Sequence, residues 1–199
     1  MKQEVNANAP GAAAVLRLLL CDTTGEACGL PSSGVAWVSS PIRCLEMGVA
    51  RQPELIAIRF GDVPIPERGL LVELAAALKR SRHTRKSRVL ALLHEKHRKL
   101  LEEIHLAGVD FVRYIDAISL DPARLREIVA ELGPEDRLAG HLSAMCPFLD
   151  YSGIDDRHEL KLCRAYLDRM VLGGTRLHQV CETEAHRECP YFLNPRRRS

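Results

Sequence analysis

The sequence predicts an α/β protein with a doubly wound, five-stranded parallel sheet, followed by a small, mainly helical, cysteine-rich module. Strand-like apolar runs alternate with amphipathic helical patterns over residues 14–133. No further strand-like run is evident after Pro134, and four of the seven cysteines lie in that last part of the chain. Strands that are buried on both faces and separated by helices form parallel sheets with right-handed crossovers. We therefore divide the chain into a tail at 1–13, an α/β domain at 14–133 and a module at 134–199.

The predicted strands are short apolar runs bounded by turn residues. Each is too short for a typical helix, and each is followed by a segment of different periodicity. The five runs are VLRLLLCD at 15–22, GVAWVSS at 34–40, ELIAIRF at 54–60, SRVLALLHE at 87–95 and DFVRYID at 110–116.

The predicted helices have recognisable first and last residues. Pro41 suits the first turn of a helix, Gly108 suits a helix stop, and Asp121 followed by Pro122 suits a helix start. The helical patterns cover residues 41–52, 70–81, 96–108 and 122–132.

Composition limits the class of protein. Of the 199 residues, 46% are apolar, which is enough to bury a core. No apolar run approaches the roughly 18 residues that a membrane-spanning helix needs, so we expect a cytoplasmic protein without membrane contact. A net charge of +2 provides no global field to attract nucleic acid. The basic run KRSRHTRKSR at 79–88 is predicted as solvated surface, with nucleic-acid contact as the weaker alternative.

Two stretches together resemble the second half of a response-regulator receiver domain. They are PELIAIRFGDVPIPERGLLVELAAALKRSRHTRKSRVLALLHE at 53–95 and LAGVDFVRYID at 106–116. The order is that of a third strand, a proline-containing loop, a helix, a fourth strand and the fifth strand. The resemblance implies a flavodoxin-like or receiver-like sheet and a regulatory protein that acts on a protein partner.

The receiver's phosphorylation chemistry is missing at the matching positions. Receivers use an acidic pair to hold Mg²⁺, an aspartate as phosphoryl acceptor, a hydroxyl residue and a lysine. Matched position by position, these fall on Cys21 with Asp22, on Arg59, on Leu93 and on Ile115. An arginine cannot accept a phosphoryl group, and its charge repels the divalent ion. The resemblance therefore implies a scaffold that is not phosphorylated.

Three alternatives stay open at this end of the sheet. Asp62, three positions after Arg59, is a candidate displaced acceptor. Arg59 also has a purely structural interpretation, as the partner of Asp22 or Asp62. Open α/β sheets often bind ligands at the carboxyl ends of their strands, so a small-molecule site is the third alternative.

The candidate cofactor ligands are Cys146, Cys163, Cys181 and Cys189. Their spacing, C-x16-C-x17-C-x7-C, lacks the C-x2-C pair of zinc ribbons and fingers, and two of them begin CP-aromatic motifs. In a reducing cytosol, clustered cysteines favour metal ligation over disulfides. The segment resembles cysteine-rich C-terminal modules of iron–sulfur proteins from anaerobic bacteria.

A [4Fe–4S] cluster fits this spacing best, because each of its four irons needs one thiolate. A Zn²⁺ ion is the alternative and needs all four sulfurs about 2.3 Å from one centre. His178 or His186 could complete a Cys3His site, although four cysteines suffice without them. Cys21, Cys28 and Cys44 show no ligand spacing and are interpreted as core residues. Aromatic residues flank the four candidate ligands and are expected to shelter them from solvent: Phe148, Tyr151, Tyr166, Tyr191 and Phe192.

These features favour a non-phosphorylatable, receiver-like regulatory protein in redox- or oxygen-responsive signalling. An electron-transfer or accessory iron–sulfur protein of an anaerobic enzyme system is the first alternative, and a structural zinc adaptor is the second. No nucleophile–base pair or glycine-rich phosphate loop stands out, so the sequence gives little support to an enzyme.

Overall fold

The structure is a computed structural model, and it describes residues 17–25, 34–61, 63–116, 120–167 and 170–197. The predicted tail at 1–13 lies outside the described residues, as do Cys28 and Asp62.

Five parallel strands form the central sheet, in the order β2-β1-β3-β4-β5. This is the doubly wound order of flavodoxin-like and receiver folds, so the predicted fold class is confirmed. The strands are β1 at Leu18–Cys21, β2 at Val35–Val38, β3 at Leu55–Arg59, β4 at Arg88–Leu93 and β5 at Phe111–Tyr114.

Four helices follow the strands, and their ends have the causes that the sequence predicted. The Asp121 carboxylate accepts the N–H groups of Ala123 and Arg124, both at 2.8 Å, and so caps the last of these helices. Gly108 has a φ of +86°, which a glycine adopts without strain. The helices are α1 at Pro41–Arg51, α2 at Ile65–Arg80, α3 at Arg98–Leu106 and α4 at Pro122–Ala130.

The two faces of the sheet bury two apolar clusters, as the side-chain alternation of strands requires. In β3, Ile56 and Ile58 join the cluster covered by α1, α2 and α3. Leu55 and Ala57 join the opposite cluster, which includes Leu125 of α4. Because the five strands are parallel, their carboxyl ends meet at one edge of the sheet, beside the first turns of α2 and α3.

The C-terminal segment, residues 134–199, contains strands as well as helical turns, so the prediction that no strand follows Pro134 was wrong. Part of the run ELKLCRAYLDRM forms a strand at Glu159–Cys163, because it pairs with strands on both of its sides. The strands are β6 at Leu149–Gly153, β7 at Glu159–Cys163, β8 at Tyr166–Leu167, β9 at Met170–Val171 and β10 at Arg196–Arg197. The helices are α5 at Leu138–Ala144, α6 at Gly174–Arg176 and α7 at Pro190–Leu193, with a π-helical turn at Leu177–Cys181.

The C-terminal segment packs against the sheet domain. Its buried residues Leu138, Met145 and Leu149 belong to the same apolar cluster as Leu101 and Ile104 of α3. A segment with few aliphatic residues gains core in this way from its neighbour. Within the described ranges, no helix is long and apolar enough to cross a membrane.

Candidate functional site

A buried ion pair occupies the place of the receiver's metal and acceptor. Arg59 ends β3, Asp22 follows β1, and Arg59 Nη1 donates to Asp22 Oδ2 at 3.0 Å. The two side chains are 0% and 3% exposed. The guanidinium therefore provides Asp22 with the positive charge that a divalent ion provides in a phosphorylatable receiver.

The Asp22 carboxylate is held in its charged form. Burial alone raises the pKa of Asp22, but the Thr24 hydroxyl, the Thr24 N–H and Arg59 outweigh burial, so the pKa is lowered. The two Thr24 donors lie 2.7 and 2.9 Å from Oδ1. Leu93 is buried at the end of β4, and the Ile115 N–H donates to its carbonyl at 2.8 Å. The matching positions that the structure describes thus carry an ion pair and strand backbone.

The fold brings the four candidate cysteines together from four different elements. Cys146 precedes β6, Cys163 ends β7, Cys181 ends the π-helical turn and Cys189 precedes α7. The Cys146 N–H donates to the Cys181 carbonyl at 2.8 Å. Leu149 lies opposite Cys163 in the β6–β7 register, so the hairpin places Cys163 close to the chain that carries Cys146.

The other three thiols oppose ionisation of Cys181. Burial raises the pKa of Cys181 to about 12, and the neighbouring thiols Cys146, Cys163 and Cys189 contribute in the same direction. Burial also raises the pKa of Cys146. Three of the four are buried and Cys189 is partly exposed. These residues form the thiol cluster, which we define as Cys146, Cys163, Cys181 and Cys189.

Cys189 has a different environment from the other members of the thiol cluster. Burial raises the pKa of Cys189, but the Arg176 guanidinium and the Tyr191 and Phe192 N–H groups outweigh burial and lower it. Arg176 Nη2 donates to Cys189 Sγ at 3.5 Å, and its guanidinium lies 4.8 Å from the centre of the Tyr191 ring. Arg176 is therefore fixed between an aromatic face and a sulfur.

The thiol cluster offers four sulfur donors, which suit a soft metal. In the part of the chain that the structure describes, no group of three or more His, Cys, Asp or Glu residues could hold a metal ion as positioned. A zinc site requires every sulfur about 2.3 Å from one centre. The thiolates of a cube bind four different irons and so stand farther apart. Four thiols without a carboxylate are a ligand set that iron–sulfur clusters accept.

The two candidate histidines have other partners. His178 Nδ1 lies 2.8 Å from the Glu182 carboxylate, and His186 Nδ1 lies 2.7 Å from the Thr183 carbonyl. Cys21 and Cys44 are fully buried core residues. A hydrogen bond with Cys21 is the main cause of the raised pKa of Cys44, and burial raises this pKa further.

Four of the five flanking aromatic residues form two ring pairs. The Tyr166 and Tyr191 rings are 5.0 Å apart, and the Phe148 and Phe192 rings are 5.9 Å apart. Tyr151 lies elsewhere, because its ring stacks on His97 with the centres 3.7 Å apart.

The sequence did not reveal the segment that connects the thiol cluster to the sheet. This segment, residues 94–98, runs from the end of β4 into α3 and is called the 94–98 segment. It meets residues that lie one or two positions from Cys146, Cys163 and Cys181. Lys96 Nζ donates to the Glu182 carbonyl at 3.0 Å, Arg98 Nη1 donates to the Met145 carbonyl at 2.6 Å, and Lys161 Nζ donates to Glu95 Oε2 at 2.7 Å.

His97 is the centre of the 94–98 segment. Its Nδ1 accepts the Leu100 N–H at 3.1 Å, which caps α3, and its Nε2 lies 2.9 Å from the Glu159 carboxylate. Burial outweighs Glu159 and lowers the pKa of His97. The ring is thus neutral, with the proton on Nε2 donated to Glu159. Arg68 Nη1 donates to the same carboxylate at 3.1 Å.

The chain was compared with family models, curated proteins and solved structures. No family model matches the chain, and no curated protein matches it in sequence. A solved response regulator from Desulfuromonas acetoxidans is similar, with a TM-score of 0.38 and 19% sequence identity over 59% of this chain and 98% of that chain. The fold class therefore stands on the strand order and register of the chain itself.

Proposed function

We propose that this chain is a receiver-like regulatory protein that is not phosphorylated, and that its thiol cluster holds a [4Fe–4S] cluster as the sensing element. In this proposal a protein partner in the cytoplasm responds to the state of the cluster. The thiol cluster supplies the input that phosphorylation supplies in a receiver.

The observation that carries the proposal is the convergence of four thiols from four elements. Burial and mutual influence oppose ionisation of Cys181, whose pKa is raised to about 12. Buried thiols become thiolates when a bound metal cation neutralises the negative charge on the sulfur. A bound cluster would supply one-electron redox chemistry and sensitivity to oxygen. The chain's own residues then hold it, shelter it and report its state.

The 94–98 segment supports the regulatory part of the proposal. Lys96 and Arg98 donate to carbonyls adjacent to Cys181 and Cys146, so a shift of either ligand changes these hydrogen bonds. Arg98 also begins α3, and its N–H donates to the Tyr151 hydroxyl at 2.9 Å. Movement of the thiol cluster therefore reaches the first turn of a helix on the sheet. Receiver-like domains commonly present such helices to protein partners.

Anaerobic purification with metal analysis tests the proposed cofactor. We expect a brown protein with broad absorption at about 400 nm and about four irons and four sulfides per chain. Cys163→Ser should lose most of the iron, because it removes the proposed ligand at the end of β7. The matched control is Cys44→Ala, which removes a buried thiol outside the thiol cluster and should keep the colour.

A colourless protein with one equivalent of zinc would contradict the iron–sulfur proposal and favour the structural zinc adaptor. Full retention of iron in Cys163→Ser would remove Cys163 from the ligand set.

A further inference from the structure

A small cavity of about 150 Å³ lies at the carboxyl ends of β3 and β4. Its apolar lining comes from Phe60, Leu93 and Leu100, all of them buried. Its polar lining includes Arg68, from the first turns of α2, and His94, which follows β4. The cavity is separate in its residues from the thiol cluster, and nothing below depends on the proposed metal.

Two nitrogens in the lining are buried and lack a hydrogen-bond partner among the described residues, namely Arg68 Nε and His94 Nε2. Buried polar atoms are nearly always paired, since an unpaired one costs about 1–3 kcal/mol. The Arg68 guanidinium is anchored through Nη1 to Glu159 at 3.1 Å, so its position does not depend on an additional partner. The arrangement thus leaves two nitrogens available to a ligand in one cavity.

The remaining polar groups of the lining are already paired. His97 uses both ring nitrogens, toward Leu100 and Glu159, and Glu95 pairs with Lys161 at 2.7 Å. Arg68 Nε–H can only donate, so the missing partner is a hydrogen-bond acceptor. Guanidinium groups bind carboxylates in preference to neutral acceptors.

We propose that this cavity binds a small carboxylate of about the size of acetate or propionate. The carboxylate group accepts from Arg68 Nε and His94 Nε2, and the alkyl end contacts Phe60, Leu93 and Leu100. The apolar wall favours an alkyl carboxylate over a tetrahedral inorganic anion.

The absence of a side chain at Gly61 permits a ligand to approach His94 Nε2. A Cβ at Gly61 would lie 3.1 Å from His94 Nε2, closer than ordinary contact. An alanine there would crowd the nitrogen that the ligand needs. The chain thus offers one variant that removes the nitrogen, His94→Leu, and one that obstructs it, Gly61→Ala.

Titration of the purified full-length chain with acetate and propionate tests the site, by calorimetry and by ligand-observed NMR. We expect millimolar or tighter binding of both, weakened at least tenfold in His94→Leu and in Gly61→Ala. His94→Gln retains a side-chain amide donor and should keep most of the affinity. Arg124→Gln, a substitution on exposed α4, is the matched control and should bind as the wild type does.

Phosphate is included as a competitor and should not bind at this site. Stronger binding of phosphate than of propionate would overturn the carboxylate assignment. Absence of binding at tens of millimolar acetate, or equal binding by wild type and His94→Leu, would overturn the site. A structure of crystals grown with propionate that shows only water in the cavity would also overturn the site.

Discussion

Substitution of Asp22 by asparagine tests whether the Arg59–Asp22 pair has replaced the receiver's metal site. Asp22→Asn keeps the shape of the side chain and the oxygen that accepts from Thr24. It removes the negative charge and replaces Oδ2, which accepts from Arg59 Nη1, with an NH2 group that can only donate. Arg59 then remains at 0% exposure without that charge. A guanidinium cannot lose its proton, so the protein cannot relieve the cost by neutralisation.

The expected cost follows from this burial. Removal of one partner from a buried ion pair destabilises a protein by about 3–5 kcal/mol. We expect the lower end, about 3 kcal/mol, because the asparagine oxygen still accepts a hydrogen bond. At roughly 2–4 °C per kcal/mol for a chain of this length, the melting temperature should fall by about 10 °C.

The assay is urea unfolding of the wild type, Asp22→Asn, Arg59→Met and the double variant, followed by circular dichroism. Arg59→Met should cost less than Asp22→Asn, because the Asp22 carboxyl can take up a proton whereas a guanidinium cannot lose one. The double variant should be more stable than Asp22→Asn, since it removes the buried guanidinium together with the carboxylate. We expect a coupling free energy of about 2 kcal/mol.

An Asp22→Asn protein within about 0.5 kcal/mol of the wild type would refute the reasoning, since surface pairs have that magnitude. Strict additivity of the two single substitutions would refute it as well.

Three further predictions concern other parts of the chain. The pKa of His97 is lowered by burial, so the unfolded chain binds a proton at a higher pH than the folded chain does. Stability should therefore decline as pH falls below about 6.5, and His97→Gln should flatten that dependence in unfolding measured at several pH values. Arg176→Met removes the charge and the N–H donor beside Cys189. It should lower the reduction potential of the proposed [4Fe–4S] cluster by roughly tens of millivolts in a redox titration. An unchanged potential would exclude contact between Arg176 and that cluster. Loss of the α4 cap in Asp121→Ala should cost about 1 kcal/mol in urea unfolding, whereas Asp121→Asn should cost little; equal effects of the two would argue against capping.

The parallel sheet was predictable because its signal is local. The run at 54–60 is apolar except for Glu54 and Arg59, and this pattern is typical of a strand buried on both faces. Helix ends were predictable for the same reason, since Asp121 and Gly108 act within their own turns. α2 begins before its predicted start, because Pro64 and Pro66 suit a first helical turn and were interpreted as loop.

The C-terminal strands were not predictable from local pattern. β7 contains leucine and lysine, which are good helix formers, and it is a strand because β6 and β9 pair with it. β8 gains its partner β10 from a distance of thirty residues along the chain. Such pairing is decided by tertiary context, which overrides intrinsic propensity.

The residues of the thiol cluster were predictable from composition, and their surroundings were not. Four cysteines with two CP-aromatic motifs indicate a site whatever elements carry them. The contacts of Lys96 and Arg98 with backbone carbonyls leave no sequence signature, because any residue offers a carbonyl. Arg59 was identified as incompatible with phosphorylation, but only the structure selects Asp22 as a partner and gives the 3.0 Å distance.

Hydrogen exchange of the amides of the 94–98 segment and α3 tests most directly the claim that this region reports the state of the thiol cluster. The Arg98 N–H donates to the Tyr151 hydroxyl and the Leu100 N–H donates to His97, so both amides depend on the docked C-terminal segment. Anaerobic protein with its metal intact is compared with protein whose metal has been removed by a chelator. We expect exchange of Arg98 and Leu100 to accelerate at least tenfold, while α4 amides are unchanged. Unchanged exchange at Arg98 and Leu100 after complete loss of the metal would contradict the regulatory account and favour simple electron transfer.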